Sequence, residues 1–145
     1  MSSLVSQTPP ASPDRALQHF SQRLVFETDC SDVYTSQQQG TVDFVLVDVR
    51  NEAAFASAHV PGAINIPHRL MDATLLSHYP IETLFVIYCA GPHCNGVHRA
   101  AVKLSQYGYR VKEMIGGVTG WRDEGLSLND LADKIGDTAS CGCHL

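Results

Sequence analysis

Two dense apolar runs of strand length, Phe44-Val45-Leu46-Val47-Asp48-Val49 and Leu84-Phe85-Val86-Ile87-Tyr88, do more than any other feature to limit how this chain can fold. Short β-branched runs with almost no polar alternation are those of strands covered on both faces. Around them the pattern is helical or turn-like, so strands and helices alternate along the chain. Alternation of this kind implies parallel strands joined by right-handed crossovers, an α/β domain with helices on both faces of a central sheet. In such sheets the reactive site lies beyond the carboxyl ends of the strands.

The remaining elements follow from caps and spacing. Ser12-Pro13 offers an N-cap and a first helical position, and Leu17, Phe20 and Leu24 then recur at helical spacing. Residues 24–27 suit a short strand, and Asp29 or Ser31 can cap a helix that stops at Gly40. Helices are expected over 51–58 and 70–77, and a strand over 63–66 between them. Val97, Ala101 and Leu104 mark the buried face of a helix ended by Gly108, and a strand follows over 111–115. Ser127 and Asp130 resemble a capping box, with Leu128, Leu131, Ala132 and Ile135 at helical spacing behind it.

With 145 residues, the chain is long enough for one ordinary domain. The reading divides it into a disordered lead-in over 1–13, a domain over 14–136 and a flexible tail over 137–145. The net charge of −5 and the lack of a basic run argue against nucleic-acid or acidic-membrane partners. No apolar run approaches the length that spans a bilayer. Five cysteines, an odd number without an export signal ahead of them, fit free thiols in a reducing compartment, the cytoplasm.

Cys89 follows the strand 84–88 directly and opens the loop Cys89-Ala90-Gly91-Pro92-His93-Cys94-Asn95-Gly96. A thiol attacks only as its thiolate, so something must lower its pKa from about 8.5. Backbone N–H groups of a curled loop, with those of the helix starting near Asn95, can do this and can cradle an anionic substrate too. Gly91 and Gly96 allow the curvature, and Pro92 stiffens it. His93 and His98 are the side chains expected to donate a hydrogen bond or a proton above Cys89. The plainer alternative is a small hydrophobe buried at a strand end.

Three segments together resemble the rhodanese superfamily over about 42–125. These are Val47-Asp48-Val49-Arg50 with the later His59-Val60-Pro61-Gly62-Ala63-Ile64-Asn65-Ile66-Pro67, Tyr88-Cys89 with its loop, and Ile115-Gly116-Gly117-Val118-Thr119-Gly120-Trp121. The resemblance implies a parallel sheet flanked by helices and a Cys89 that carries sulfane sulfur as a persulfide. It further implies a small sulfur donor and an acceptor that is cyanide or a thiol, a protein acceptor being one option; no cofactor or metal is expected. Asp48, Arg50 and His59 fall on the family's Asp-x-Arg and His-x-Pro-Gly segments, and their expected role is structural. Trp121 is expected in the core or at its rim.

Members of that family commonly follow the cysteine with a compact, basic loop, whereas no Arg or Lys lies between Cys89 and His98 here. A doubly charged donor such as thiosulfate would rest on backbone amides, the helix N-terminus and protonated His93 or His98. The longer loop is also similar to that of phosphatases and arsenate reductases of the same fold, which end it in an Arg; Arg99 lies too far along for that role. A third option is a non-enzymatic sulfur or metal carrier built on the tail Cys141-Gly142-Cys143-His144. Cys94 is either a resolving thiol for Cys89 or a packed helix-start cysteine, and Cys30 is expected to be structural, far from any motif.

Overall fold

The structure, a computed structural model, describes residues 1–131. Five parallel strands form one sheet in the order β1-β5-β4-β2-β3, with β1 Glu27–Asp29, β2 Val45–Asp48, β3 Ile64–Asn65, β4 Leu84–Tyr88 and β5 Arg110–Ile115. The helices are α1 Pro13–Phe26, α2 Cys30–Gln39, α3 Glu52–Ser57, α4 Ala73–Leu76, α5 Gly96–Gln106 and α6 Gly117–Asp123. Asp29 and Asn51 cap α2 and α3 through their side chains, and Gly40 ends α2 in the left-handed conformation that glycine tolerates.

The register of the two apolar strands explains why neither shows polar alternation. Leu46 pairs with Val86 and Val47 with Ile87, so successive residues turn to opposite faces. Val47, Phe85 and Ile87 pack with Val97, Ala100 and Leu104 of α5 on one face. Leu46, Val86 and Tyr88 pack with Val33 of α2 and with Val118 and Trp121 of α6 on the other. Trp121 is fully buried, and its indole N–H donates to Ser127 O at 3.0 Å. No helix among the described residues is long and apolar enough to cross a membrane.

Several local expectations are corrected. The strand placed at 24–27 begins at Glu27 instead, because α1 continues to Phe26 and an Arg23–Glu27 ion pair at 3.0 Å spans its last turn. The apolar residues of α1 are helical but not buried; Leu17, Phe20 and Leu24 are all exposed. The helix expected over 70–77 is split into a 3₁₀ turn, His68–Leu70, and the single turn of α4. Met71 and Asp72 are extended between them, and Asp72 caps α4. Ser127 does not start a helix: Asn129 instead exchanges backbone hydrogen bonds with His59, at 2.9 Å each way. The rest of that expected helix, and the tail with Cys141, Cys143 and His144, lie outside the described residues.

One close approach holds the carboxyl edge of the sheet together. Val118 N–H donates to Cys89 O at 3.1 Å and Thr119 N–H to Ala90 O at 3.0 Å, so the start of α6 grips the chain as it leaves β4. Gly117, at φ 55°, is what lets the two segments meet, because a Cβ there would overlap the Cys89 carbonyl oxygen. Cys30 belongs to the same region and not to a remote helix. Its Sγ sits 3.7 Å from both Ile115 O and Gly117 O, against the turn that carries Gly116 and Gly117.

Gly117→Ala should cost on the order of 3 kcal/mol or more, since it adds overlap to left-handed backbone strain. A fall in thermal midpoint of about 10 °C would report it; an unchanged midpoint would contradict the close approach. Burial, with the nearby Asp29 and Glu124 charges adding to it, pushes the Cys30 thiol up to about 11. At about pH 8 the native protein should therefore carry iodoacetamide on Cys30 at least about a hundredfold more slowly than the unfolded chain. Peptide mass mapping measures the ratio, and equal rates would refute the assignment.

Candidate active site

Cys89 enters the site with its backbone already committed. Val49 N–H donates to Tyr88 O at 3.1 Å, which extends the β2–β4 ladder to the last residue before the cysteine. In a trans peptide the N–H lies opposite the carbonyl. The α6 grip on the Cys89 and Ala90 carbonyls therefore turns the N–H groups of Ala90 and Gly91 the other way. The loop then curls through a turn in which Cys94 N–H donates to Gly91 O at 3.1 Å. Gly91 has to be bare, because a Cβ there would lie 2.8 Å from Thr119 Oγ1.

Helix α5 starts directly from this turn, with Asn95 as an N-cap whose side chain makes no capping bond. Among the described residues, no acceptor meets the N–H groups of Ala90, Gly91, His93, Asn95, Gly96 or Val97. Unpaired donors at a helix start, joined by those of a curled loop, form an anion-binding nest. Cys89 is buried beneath it at 6% exposure, while Pro92 and His93 are exposed at its rim.

The nest opens on a cleft of about 600 Å³, within the range of small-molecule sites. Cys89, His93, Cys94 and Gly96 of the loop border it, with Arg50 from the end of β2 and His68 and Arg69 from the segment after β3; His68 sits close to the loop, since a Cβ on Gly96 would lie 3.3 Å from its Cδ2. All of these residues lie just past the carboxyl ends of β2, β3 and β4, the edge on which parallel strands open together. Cys94 is brought to Cys89: the two sulfurs stand in bonding contact as a disulfide, with Cα atoms 6.4 Å apart. Gly96 leaves room for the pair, since a Cβ there would lie 3.2 Å from the Cys89 sulfur.

His98 is not brought to the site. It is on the outer side of α5, exposed, with Nε2 3.0 Å from Glu113 Oε1 of β5, and it does not border the cleft. The helical repeat puts it on the side of α5 that meets Glu113, away from the cleft. Two residues that sequence reasoning missed take up that side of the cleft, His68 and Arg69. The signal was there to read: whatever follows a parallel strand emerges at the same edge as Cys89, and His68-Arg69 follows β3 by way of Pro67. His68 is held below the usual imidazole range by burial first and then by the Lys103, Arg99 and Arg69 charges, which keeps it neutral. Lys103 Nζ also donates to His68 O at 2.8 Å. Arg69 is exposed and paired with Glu52 at 3.1 Å.

Asp48 and Arg50 form a buried ion pair in the cleft wall. Arg50 Nε lies 3.0 and 3.1 Å from the two Asp48 carboxylate oxygens, and Nη2 lies 2.7 Å from Oδ2. Arg50 Nη2 also donates to Ala58 O, which ties β2 to the end of α3. Asn65 Nδ2 donates to the carbonyls of Asp48 and Arg50, so β3 is drawn onto the same knot. Arg50 Nη1 is buried without a partner among the described residues. Burial, and then the Asp48 charge, push the Tyr88 phenol well above its usual range, and its oxygen accepts from Val60 N–H at 3.0 Å. His59 lies behind the wall, buried, stacked on Phe55 with centroids 3.9 Å apart and with Nδ1 2.8 Å from Phe55 O.

Comparison with known proteins agrees with this arrangement. The model of the rhodanese-like domain matches residues 30–124. A sulfurtransferase from Allochromatium vinosum is 32% identical over 106 residues, 72% of this chain and 95% of the relative. Among solved structures, the BH2092 protein from Bacillus halodurans is similar at 36% identity and a TM-score of 0.78, covering 82% of this chain and 87% of that one. The rhodanese-like domain of the Alr3790 protein from Anabaena sp. shares the fold at 21% identity and a TM-score of 0.66, covering 82% and 87% of the two chains. With a family model matched across more than half of its length and the fold shared with a solved structure at 36% identity, this chain belongs to the rhodanese-like domain family.

Proposed function

We propose that this chain is a sulfurtransferase of the cytoplasm in which Cys89 takes sulfane sulfur from a small anionic donor and passes it to a thiol, free or on a protein. The observation that carries the reading is the run of unpaired N–H groups in the loop that follows Cys89 and at the start of α5, where Gly96 lies against the Cys89 sulfur. The Cys89 thiolate attacks the outer sulfur of the donor, the sulfur–sulfur bond of the donor breaks, and the remainder leaves with the electron pair, as sulfite would from thiosulfate. The bound sulfur then carries the negative charge, and the nest stabilises it where it sits. An acceptor thiolate attacks that outer sulfur and returns Cys89 as its thiolate. The sulfurtransferase from Allochromatium vinosum supports the reading by similarity.

Arg69 supplies the cation that the loop lacks, from across the cleft and on a different element. A neutral His68 beside it can donate or accept a hydrogen bond without adding charge. The oxyanion-hydrolase alternative is disfavoured, because it needs an Arg closing the loop. Arg99, the first Arg after Cys89, does not border the cleft; its Nε lies 3.4 Å from Asn95 Oδ1.

Reduced Cys94→Ser protein, which has no thiol beside Cys89, should gain one sulfur on Cys89 by intact and peptide mass when exposed to thiosulfate or an inorganic polysulfide, and Cys89→Ser should lose transfer by about a thousandfold or more. A folded Cys94→Ser protein that adds no sulfur with any donor would sink the proposal. Arg69→Ala should raise KM for thiosulfate by about two- to fivefold with kcat nearly unchanged, as expected for an exposed charge. Steady-state kinetics at low salt measure this, and an unaltered KM would remove Arg69 from donor binding.

A further inference from the structure

The site contains a second sulfur that single-cysteine sulfur transfer does not use. Cys94 closes the turn that starts at Gly91, is half-buried, and borders the cleft. Its sulfur is in bonding contact with that of Cys89, and the Cα separation of 6.4 Å falls within the span a disulfide accepts. The loop reaches this arrangement with Gly96 bare beneath both sulfurs, since a Cβ there would also lie 3.5 Å from Cys94 Sγ. Cys30, the remaining cysteine among the described residues, is buried on the far side of the α6 turn. Among the described residues the pairing is therefore selective, and both of its cysteines border the cleft.

We infer that Cys94 is a second reacting thiol, which attacks the Cys89 sulfur once Cys89 holds a persulfide and expels the outer sulfur as hydrosulfide. The inference rests on the persulfide proposed above. In the step, the bond between the Cys89 sulfur and the outer sulfur breaks while the Cys89–Cys94 bond forms. The outer sulfur, anionic on Cys89, takes the proton that Cys94 gives up and leaves as hydrosulfide with the electron pair. The sulfane sulfur is reduced to sulfide and the two cysteines are oxidised to a disulfide. A dithiol, or two monothiols in succession, then reduces the pair by thiol–disulfide exchange and is itself oxidised. The activity that results is reductive release of sulfide, in place of transfer of intact sulfane sulfur.

The test uses the full chain, reduced with a dithiol and freed of it under anoxia, then given one equivalent of thiosulfate, whose leaving group is sulfite, with no acceptor thiol. Wild type should release about one hydrosulfide per chain, lose two hydrogens in mass, and yield a peptide cross-linked through Cys89 and Cys94. Cys94→Ser should keep the added sulfur on Cys89 and release hydrosulfide at least about tenfold more slowly. Circular dichroism confirms that both proteins are folded. If wild type retains the added sulfur as long as Cys94→Ser does, or if both release hydrosulfide at one rate, the inference is overturned while the sulfurtransferase reading stands. If Cys89 gains no sulfur in the folded Cys94→Ser protein, the sulfurtransferase reading fails and the inference with it.

Discussion

Two carbonyl oxygens, those of Cys89 and Ala90, carry the architecture of this site. At the end of β4 they would otherwise have no ladder partner, and the first turn of α6 supplies one through the N–H groups of Val118 and Thr119. Thr119 adds its hydroxyl to the Ala90 carbonyl at 3.1 Å. Since a peptide unit is planar, fixing the carbonyl fixes the N–H on its other side. The donors that face the cleft are thus oriented by a helix that never enters it. Gly117 makes this possible by having no side chain at the closest approach.

The opposite wall is built on the same economy of polar groups. Asp48 ends β2 beside Tyr88, and its carboxylate holds Arg50 with near-bidentate geometry in a place that water does not reach. A buried charge pair of this kind gives direction more than stability, because desolvation of the ions offsets most of their attraction. Here the direction is useful: Arg50 collects Ala58 O, and Asn65 collects the backbone at both ends of the pair, so the end of α3 and β3 are both tied to the end of β2. The wall and the loop face each other across a gap of small-molecule size.

Much of this was legible from residue order. The strand Leu84–Tyr88, the caps Asp29 and Asn51, and the stop at Gly40 each depend on chemistry within a few residues, and the structure has them where local rules put them. What local rules could not supply were outcomes decided by distant partners. Residues 70–77 carry an adequate helical pattern, yet Asp72 is extended and caps only the short α4 that follows. Ser127 resembles a cap, but its carbonyl is taken by the Trp121 indole and Asn129 pairs with His59. His98 is near Cys89 in sequence and turned away from it by the helical repeat, whereas Arg69, twenty residues upstream of Cys89 (89 − 69), reaches the cleft because parallel strands end on a common edge.

By itself the sequence determined the α/β alternation, the parallel order of its apolar strands and the position of a thiol at a strand end. These follow from periodicity and burial, which a linear pattern records directly. Tertiary structure alone decided that Cys94 meets Cys89, that Cys30 backs the α6 turn, and that Arg69 borders the same cleft from the β3 side. Each of these depends on where separate segments come together in space, and a thiol's chemistry is set by its neighbours in space, which the order of residues along the chain does not state.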